Sequence, residues 1–162
     1  MAAGDHQVSV GLAAVPVGLA VQAASHFDAV RRELQVLEGS WSARGPGSEV
    51  GRVIPALAVP VHRIGPLGAS VGAALAPAVA QWRTALAEGR RTLDLHVDVP
   101  ASTGPLAREL DTLLDDVERW CRAGVLLAVA VPPDVVAFRR WALGQVVVQC
   151  AGGRPSPWPG AR

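Results

Sequence analysis

Thr92-Leu93-Asp94-Leu95-His96-Val97-Asp98-Val99-Pro100 alternates polar and apolar side chains. Successive side chains of a β-strand point to opposite faces, so Leu93, Leu95, Val97 and Val99 predict one buried face. Thr92, Asp94, His96 and Asp98 fall on the other. Pro100 ends the strand, Ser102 or Thr103 can cap the next helix, and Leu106, Leu110, Leu113, Val117 and Cys121 then recur at helical steps up to Gly124. Asp111, Asp115, Asp116 and Glu118 fall around the opposite, solvated side of that helix.

Toward the N-terminus, Val8, Val10 and Leu12 alternate with Ser9 and Gly11, which predicts a second strand. Pro16 opens a helical pattern carried by Leu19, Ala23, Phe27, Val30, Leu34 and Leu37, with Gly39 placed to stop it. Arg31, Arg32, Glu33 and Glu38 lie mainly on its wet face. The turn-formers of residues 40–51 read as a loop. Pro55, Pro60, Pro66 and Pro77 interrupt an Ala/Val/Leu-rich stretch, so the expectation there is a short helix near 54–63, a break at 65–68, and a better helix over about 73–88.

Residues 125–131 are a continuous apolar run, which suits a third strand or a buried connection. Pro132-Pro133-Asp134 starts a last helix, because proline is tolerated in the first turn and an acid favours the positive end of the helix dipole. Gly152-Gly153 ends it. The expectation is a mainly α, α+β domain, with about five helices packed around a small two- or three-stranded sheet. It comprises a single helical regulatory domain over 1–153 and a Pro/Trp tail over 154–162.

Composition narrows the function classes. The chain has 162 residues, half of them hydrophobic and 18% charged, which is ample for one folded core and far from a disordered composition. Its basic residues are all Arg, and Lys, Asn and Tyr are absent, a pattern of codon bias. A formal net charge of +1 offers no field to gather nucleic acid or an anionic membrane. No stretch of roughly 18–20 apolar residues runs uninterrupted as a membrane-spanning helix would, and the N-terminus has no signal-peptide pattern, so the expected setting is cytoplasmic, without membrane or nucleic-acid partners. Cys121 and Cys150 fall at apolar helical positions and read as buried thiols.

Catalytic signatures are missing. Asp94, His96 and Asp98 project from one strand face and are chemically plausible metal ligands, but a solvated strand edge explains them and no fourth ligand can be named. No Ser has an activating base or a Gly-x-Ser-x-Gly setting, no phosphate-binding loop occurs, and the acids at 111, 115, 116 and 118 read as a solvated helix face. The expectation is a non-enzyme with no cofactor and no metal.

The last helix and tail carry the residues most suited to a partner. Arg139, Arg140 and Trp141 lie beside Phe138, Ala142 and Gln145, and Trp158 stands between Pro157 and Pro159. Arg and Trp dominate protein-protein hot spots, which makes Arg139, Arg140, Trp141 and Trp158 the candidate partner-binding residues. The structural alternative is an intramolecular lock of Arg139 or Arg140 on Asp115, Asp116 or Glu118, with Trp158 folded back as an anchor.

With these pieces in order, the chain resembles small actinobacterial regulatory domains encoded around partner-switching modules of anti-sigma-factor kinases, STAS-type antagonists and PP2C-type phosphatases. Some of these precede a histidine-kinase-like ATP-binding domain. The matching pieces are Val15-Pro16-Val17 with Arg32-Glu33-Leu34, Val97-Asp98-Val99-Pro100, Leu113-Leu114-Asp115-Asp116 with Trp120-Cys121-Arg122, Pro132-Pro133 through Phe138-Arg139-Arg140-Trp141, and Pro155-Ser156-Pro157-Trp158-Pro159. The chain lacks the Asn-bearing and Asp-x-Gly-x-Gly boxes of the kinase, and residues 53–72 depart from the pattern by their Pro and Gly content. The resemblance implies a signalling or regulatory interaction domain in stress or sigma-factor regulation, with a protein partner and room for a homodimer. The alternative is a small-molecule sensor with an apolar pocket among its helices.

Overall fold

The computed structural model describes residues 6–44 and 55–160, with side chains described over 6–39 and 62–160. Its order is β1 (Gln7–Pro16), α1 (Val17–Arg44), α2 (Pro55–Ala87), β2 (Thr92–Pro100), α3 (Thr103–Arg122) and α4 (Pro133–Cys150). The domain is mainly helical around a two-stranded antiparallel sheet.

β2 takes the expected pattern: Leu93, Leu95, Val97 and Val99 are buried while Thr92, Asp94, His96 and Asp98 are exposed. Its partner β1 places Val8, Val10 and Leu12 opposite Val99, Val97 and Leu95, so the inward side chains of both strands share one face. The register then slips between Leu12 and Val15, where Ala14 adopts a positive φ of 57°. This bulge is held by Asp94, whose carboxylate accepts from the Ala14 N–H at 2.7 Å.

Helices cover the inward face. Val10, Val15, Val30, Ile64, Val99, Val117 and Val146 are almost wholly buried together, one or more from every strand and helix. Burial of a branched side chain of this kind stabilises by about 1.5–3 kcal/mol. A buried polar clamp reinforces the packing of α4 on β1. The Gln149 side chain accepts from the Gly11 N–H and donates to the Gly11 carbonyl, both at 2.8 Å.

Three expectations are corrected, and among the described residues there are four helices beside the about five expected. The break at 65–68 does not occur: α2 runs through Pro60, Pro66 and Pro77 as one helix of 33 residues. An interior proline loses one hydrogen bond, and α2 offsets that loss by packing against α1, α3 and β2. Gly39 does not stop α1, which continues to Arg44. Of the loop expected over 40–51, residues 45–51 lie outside those described.

Residues 125–131 form no third strand. The Glu33 carboxylate of α1 accepts from the N–H groups of Leu127 and Ala128 at 2.6 and 2.7 Å, so a side chain takes the place a neighbouring strand would fill. Leu126 alone of this run is buried, and Leu127 is 91% exposed.

The stretch His62–Ala87 of α2 reaches a mean hydropathy of 1.3, long and apolar enough by length and composition to cross a membrane. Ile64, Leu67, Val71, Ala78 and Ala85 point into the core of the domain, but only 22% of the apolar window is buried and most of its other residues are exposed or half-buried.

Candidate functional site

Helix α4 carries Arg139, Arg140 and Trp141 and receives Trp158, and it presents different chemistry on three sides. Pro133 occupies its first turn and Asp134 sits at its positive end, where the carboxylate accepts from the Val135 N–H at 2.9 Å.

Toward α3, the arginines form an intramolecular lock. Arg139 pairs with Asp115, and its Nε lies 3.2 Å from Asp111 Oδ1. Arg140 reaches both oxygens of Asp115, Nε to Oδ1 at 3.1 Å and Nη2 to Oδ2 at 2.9 Å. The two carboxyls respond in opposite directions. At Asp111 burial dominates over the attraction of Arg139 and the pKa is raised. At Asp115 burial also pushes upward, but the Arg140 hydrogen bond and the two guanidinium charges outweigh it and the pKa is lowered. Neither Asp116 nor Glu118 joins this lock: Asp116 pairs with Arg119, and Glu118 with Arg122.

Glu118 departs from the solvated face on which its spacing puts it. It is only 3% exposed, with Arg122 Nη2 at 3.2 Å and His26 Nε2 at 3.5 Å, and neither contact has hydrogen-bond alignment. His26 is itself half-buried on α1. Burial lowers its pKa, and the opposing pull of Glu118 does not restore it.

On the side away from the lock, the tail folds back. Gln145 is buried and makes a reciprocal pair with Ser156: its Oε1 accepts from the Ser156 N–H at 2.8 Å and its Nε2 donates to Ser156 Oγ at 2.9 Å. Trp141 Nε1 donates to the Ser156 carbonyl at 3.3 Å. Phe138, Trp141 and Trp158 form a triangle with centroid separations of 5.5–5.8 Å, and both contacts of Trp158 are edge-on. Each such ring pair contributes about 0.5–1.5 kcal/mol beyond burial.

Between these two sides lies an apolar pocket of about 230 Å³. α1 contributes Ala23 and Phe27, α2 contributes Gly68, Val71, Gly72 and Leu75, and α3 and α4 close it with Leu110, Leu114, Val135, Phe138 and Leu143. Its polar lining is His26 and Arg139. The pocket exists because α2 presents glycine here. At Gly68 the helices approach so closely that a Cβ would overlap the Phe27 ring, whereas at Gly72, one turn on, a Cβ would meet no atom within 4 Å.

A second cleft, of about 680 Å³, runs between α3 and the start of α4. Asp115, Asp116 and Glu118 line it together with Arg119, Arg122 and Arg140, so its charges pair with one another.

The other sequence candidates are dispersed. Asp94 supports the β1 bulge, and the His96 ring lies against Gly11. Among the described residues no three His, Cys, Asp or Glu side chains are placed to share a metal ion. Cys121 and Cys150 form no disulfide, and of the two only Cys121 is buried while Cys150 is half-buried; burial first, then the charges of Glu118 and Glu33, pushes the Cys121 thiol up to about 11, a value unsuited to a nucleophile at neutral pH.

Sequence reasoning missed His26, Gln149, Ser156 and the pocket-lining glycines, and it put Glu118 on the wet face of its helix. Gln145 and Gln149 had a usable signal, since two amides one turn apart on an otherwise apolar helix face require buried partners. No family model, curated protein or solved structure matches the chain.

Proposed function

We propose that this chain is a non-enzymatic regulatory domain that binds a small apolar molecule between its helices and relays occupancy to a protein partner. The observation that supports this reading is the pocket of about 230 Å³ lined almost entirely by aliphatic and aromatic side chains. Drug-sized ligands occupy roughly 300–1,000 Å³, while a dry cavity of roughly 150 Å³ admits benzene. A single-ring or short-chain ligand therefore suits this site. Its polar wall offers orientation rather than chemistry: Arg139 is held by Asp111 and Asp115, and His26 faces Glu118.

The pocket touches both sides of α4. Phe138 lines it and also meets Trp158, and Arg139 lines it and anchors the lock. Filling the pocket would press on the tail and on the α3–α4 interface together. We extend the reading to the setting that the family resemblance implies, a cytoplasmic signalling component of stress or sigma-factor regulation.

Thermal unfolding in the presence of toluene, indole and straight-chain C6–C10 carboxylates tests the proposal. A ligand at 100 times its Kd stabilises by about 2.7 kcal/mol, which raises Tm by several degrees in a domain of this size. Gly72→Leu should fill the empty space, keep the fold and abolish the rise. No rise with any of these compounds would refute the ligand.

A second reading, in which a protein docks directly on Arg139, Arg140, Trp141 and Trp158, is favoured by the roughly half-exposed side chain of Arg140. Alanine replacement of Arg139, Arg140 and Trp141 separates the two roles. Lost partner capture at unchanged Tm supports docking, and a large fall in Tm supports the lock.

A further inference from the structure

The tail is held in a manner that a separate peptide could reproduce. Residues 151–160 lack regular structure and are exposed except for the half-buried Trp158. Ser156 contributes its N–H, carbonyl and hydroxyl to Gln145 and Trp141. Trp158 contributes its ring to Phe138 and Trp141 and its N–H to the Ala13 carbonyl at 3.1 Å. The β1 bulge supplies that last acceptor, because Ala13 and Ala14 lie in the slip between Leu12 and Val15 where the strands are out of register.

We propose that α4 and the β1 bulge form a peptide-docking groove that reads Ser-Pro-Trp, filled by the chain's own tail and able to take the same segment from a second copy. Pro155, Pro157 and Pro159 restrict the unbound segment, which lowers the ordering cost of docking. Gly152, at a φ of +81°, and Gly153 turn the chain out of α4, their N–H groups donating to the Gln149 and Val148 carbonyls at 3.0 and 2.8 Å, and the exposed residues just after this cap are the hinge. Exchange of identical segments about a hinge is a low-cost route to a symmetric dimer. The short tether gives an effective concentration on the order of millimolar, so the chain's own tail prevails until copies are concentrated or the tail is weakened.

The test uses a labelled peptide of residues 154–160 and the 162-residue chain. Trp158→Ala, which vacates the ring site, should bind the peptide at least about 10-fold more tightly than wild type, in line with the removed internal competitor. Adding Gln145→Ala should weaken that binding at least about 10-fold, as should a peptide with Ala in place of its Trp. A Trp158→Ala chain that unfolds cooperatively yet binds no peptide at millimolar concentration overturns the groove. If that variant does not fold, 5-fluorotryptophan-labelled wild type carries the test: excess peptide should shift the Trp158 resonance, and an unmoved resonance overturns the proposal. For the second copy, wild type at millimolar concentration should form dimers by light scattering that Trp158→Ala does not. Equal dimerisation of both chains, or none in wild type, overturns that occupant.

Discussion

Helices α2 and α3 pack against each other, yet they fill the core with different material. α3 buries Leu110, Leu113, Leu114 and Val117 along a continuous seam, while α2 buries Ile64, Leu67 and Val71 and then only alanines, at 78 and 85. Large side chains close the space between helices. Small ones permit near contact, as at Gly68 against Phe27, and leave open space at the pocket mouth, as beside the exposed Gly72. The cavity is a property of the α2 side of this contact.

The contrast can be broken most forcefully at Leu114. Leu114→Ala should cost about 2–5 kcal/mol in denaturant unfolding, and Val71→Ala on the facing helix only about 1–2 kcal/mol, since less side chain is deleted. Equal costs would mean that α2 is packed as tightly as α3. A sharper comparison lies within α2. Gly68→Ala should destabilise by about 1–3 kcal/mol through overlap with Phe27, while Gly72→Ala should stabilise by up to about 1 kcal/mol through helix propensity in open space. Effects of the same sign at both sites would remove the basis for the pocket.

α3 has its own weak point at Glu118. Arg122 is largely exposed and the His26 pKa is lowered, so replacing Glu118 strands no buried charge. Glu118→Met should leave stability unchanged or raise it by about 1 kcal/mol, measured by Tm. The smallest expected effect is a pH dependence. Because burial holds the folded His26 pKa below 6.5, the folded state takes up its proton later than the unfolded chain does. The His26 contribution is therefore fully present above pH 6.5 and declines as pH falls through the folded pKa. His26→Gln should flatten the Tm profile in that window, and an unchanged slope would contradict the assignment.

Legibility followed range. β2 and α3 were readable because strict periodicity assigns a face to each residue, and Leu93 through Val99 took the faces their alternation assigns. The arginine lock was readable as an option because Arg139 and Asp115 are complementary and sit on neighbouring helices. Glu118 was misread because the helical period puts it beside the wet face, and only the arrival of α1 with His26 encloses it. α2 was misread because the local cost of proline argues for a break, whereas its contacts with α1, α3 and β2 outweigh that cost.

Local order in the amino-acid sequence determined which segments are apolar on one side, where β2, α3 and α4 begin, and which side chains carry charge. Those properties follow from backbone geometry within a few residues. The tertiary structure decided which carboxylate meets which arginine, that Glu33 occupies the N–H groups of Leu127 and Ala128, that Gln149 clamps Gly11, and that Trp158 returns to α4. Each of these contacts joins residues from different segments, so its existence depends on the closure and packing of the whole chain rather than on the pattern of any one stretch.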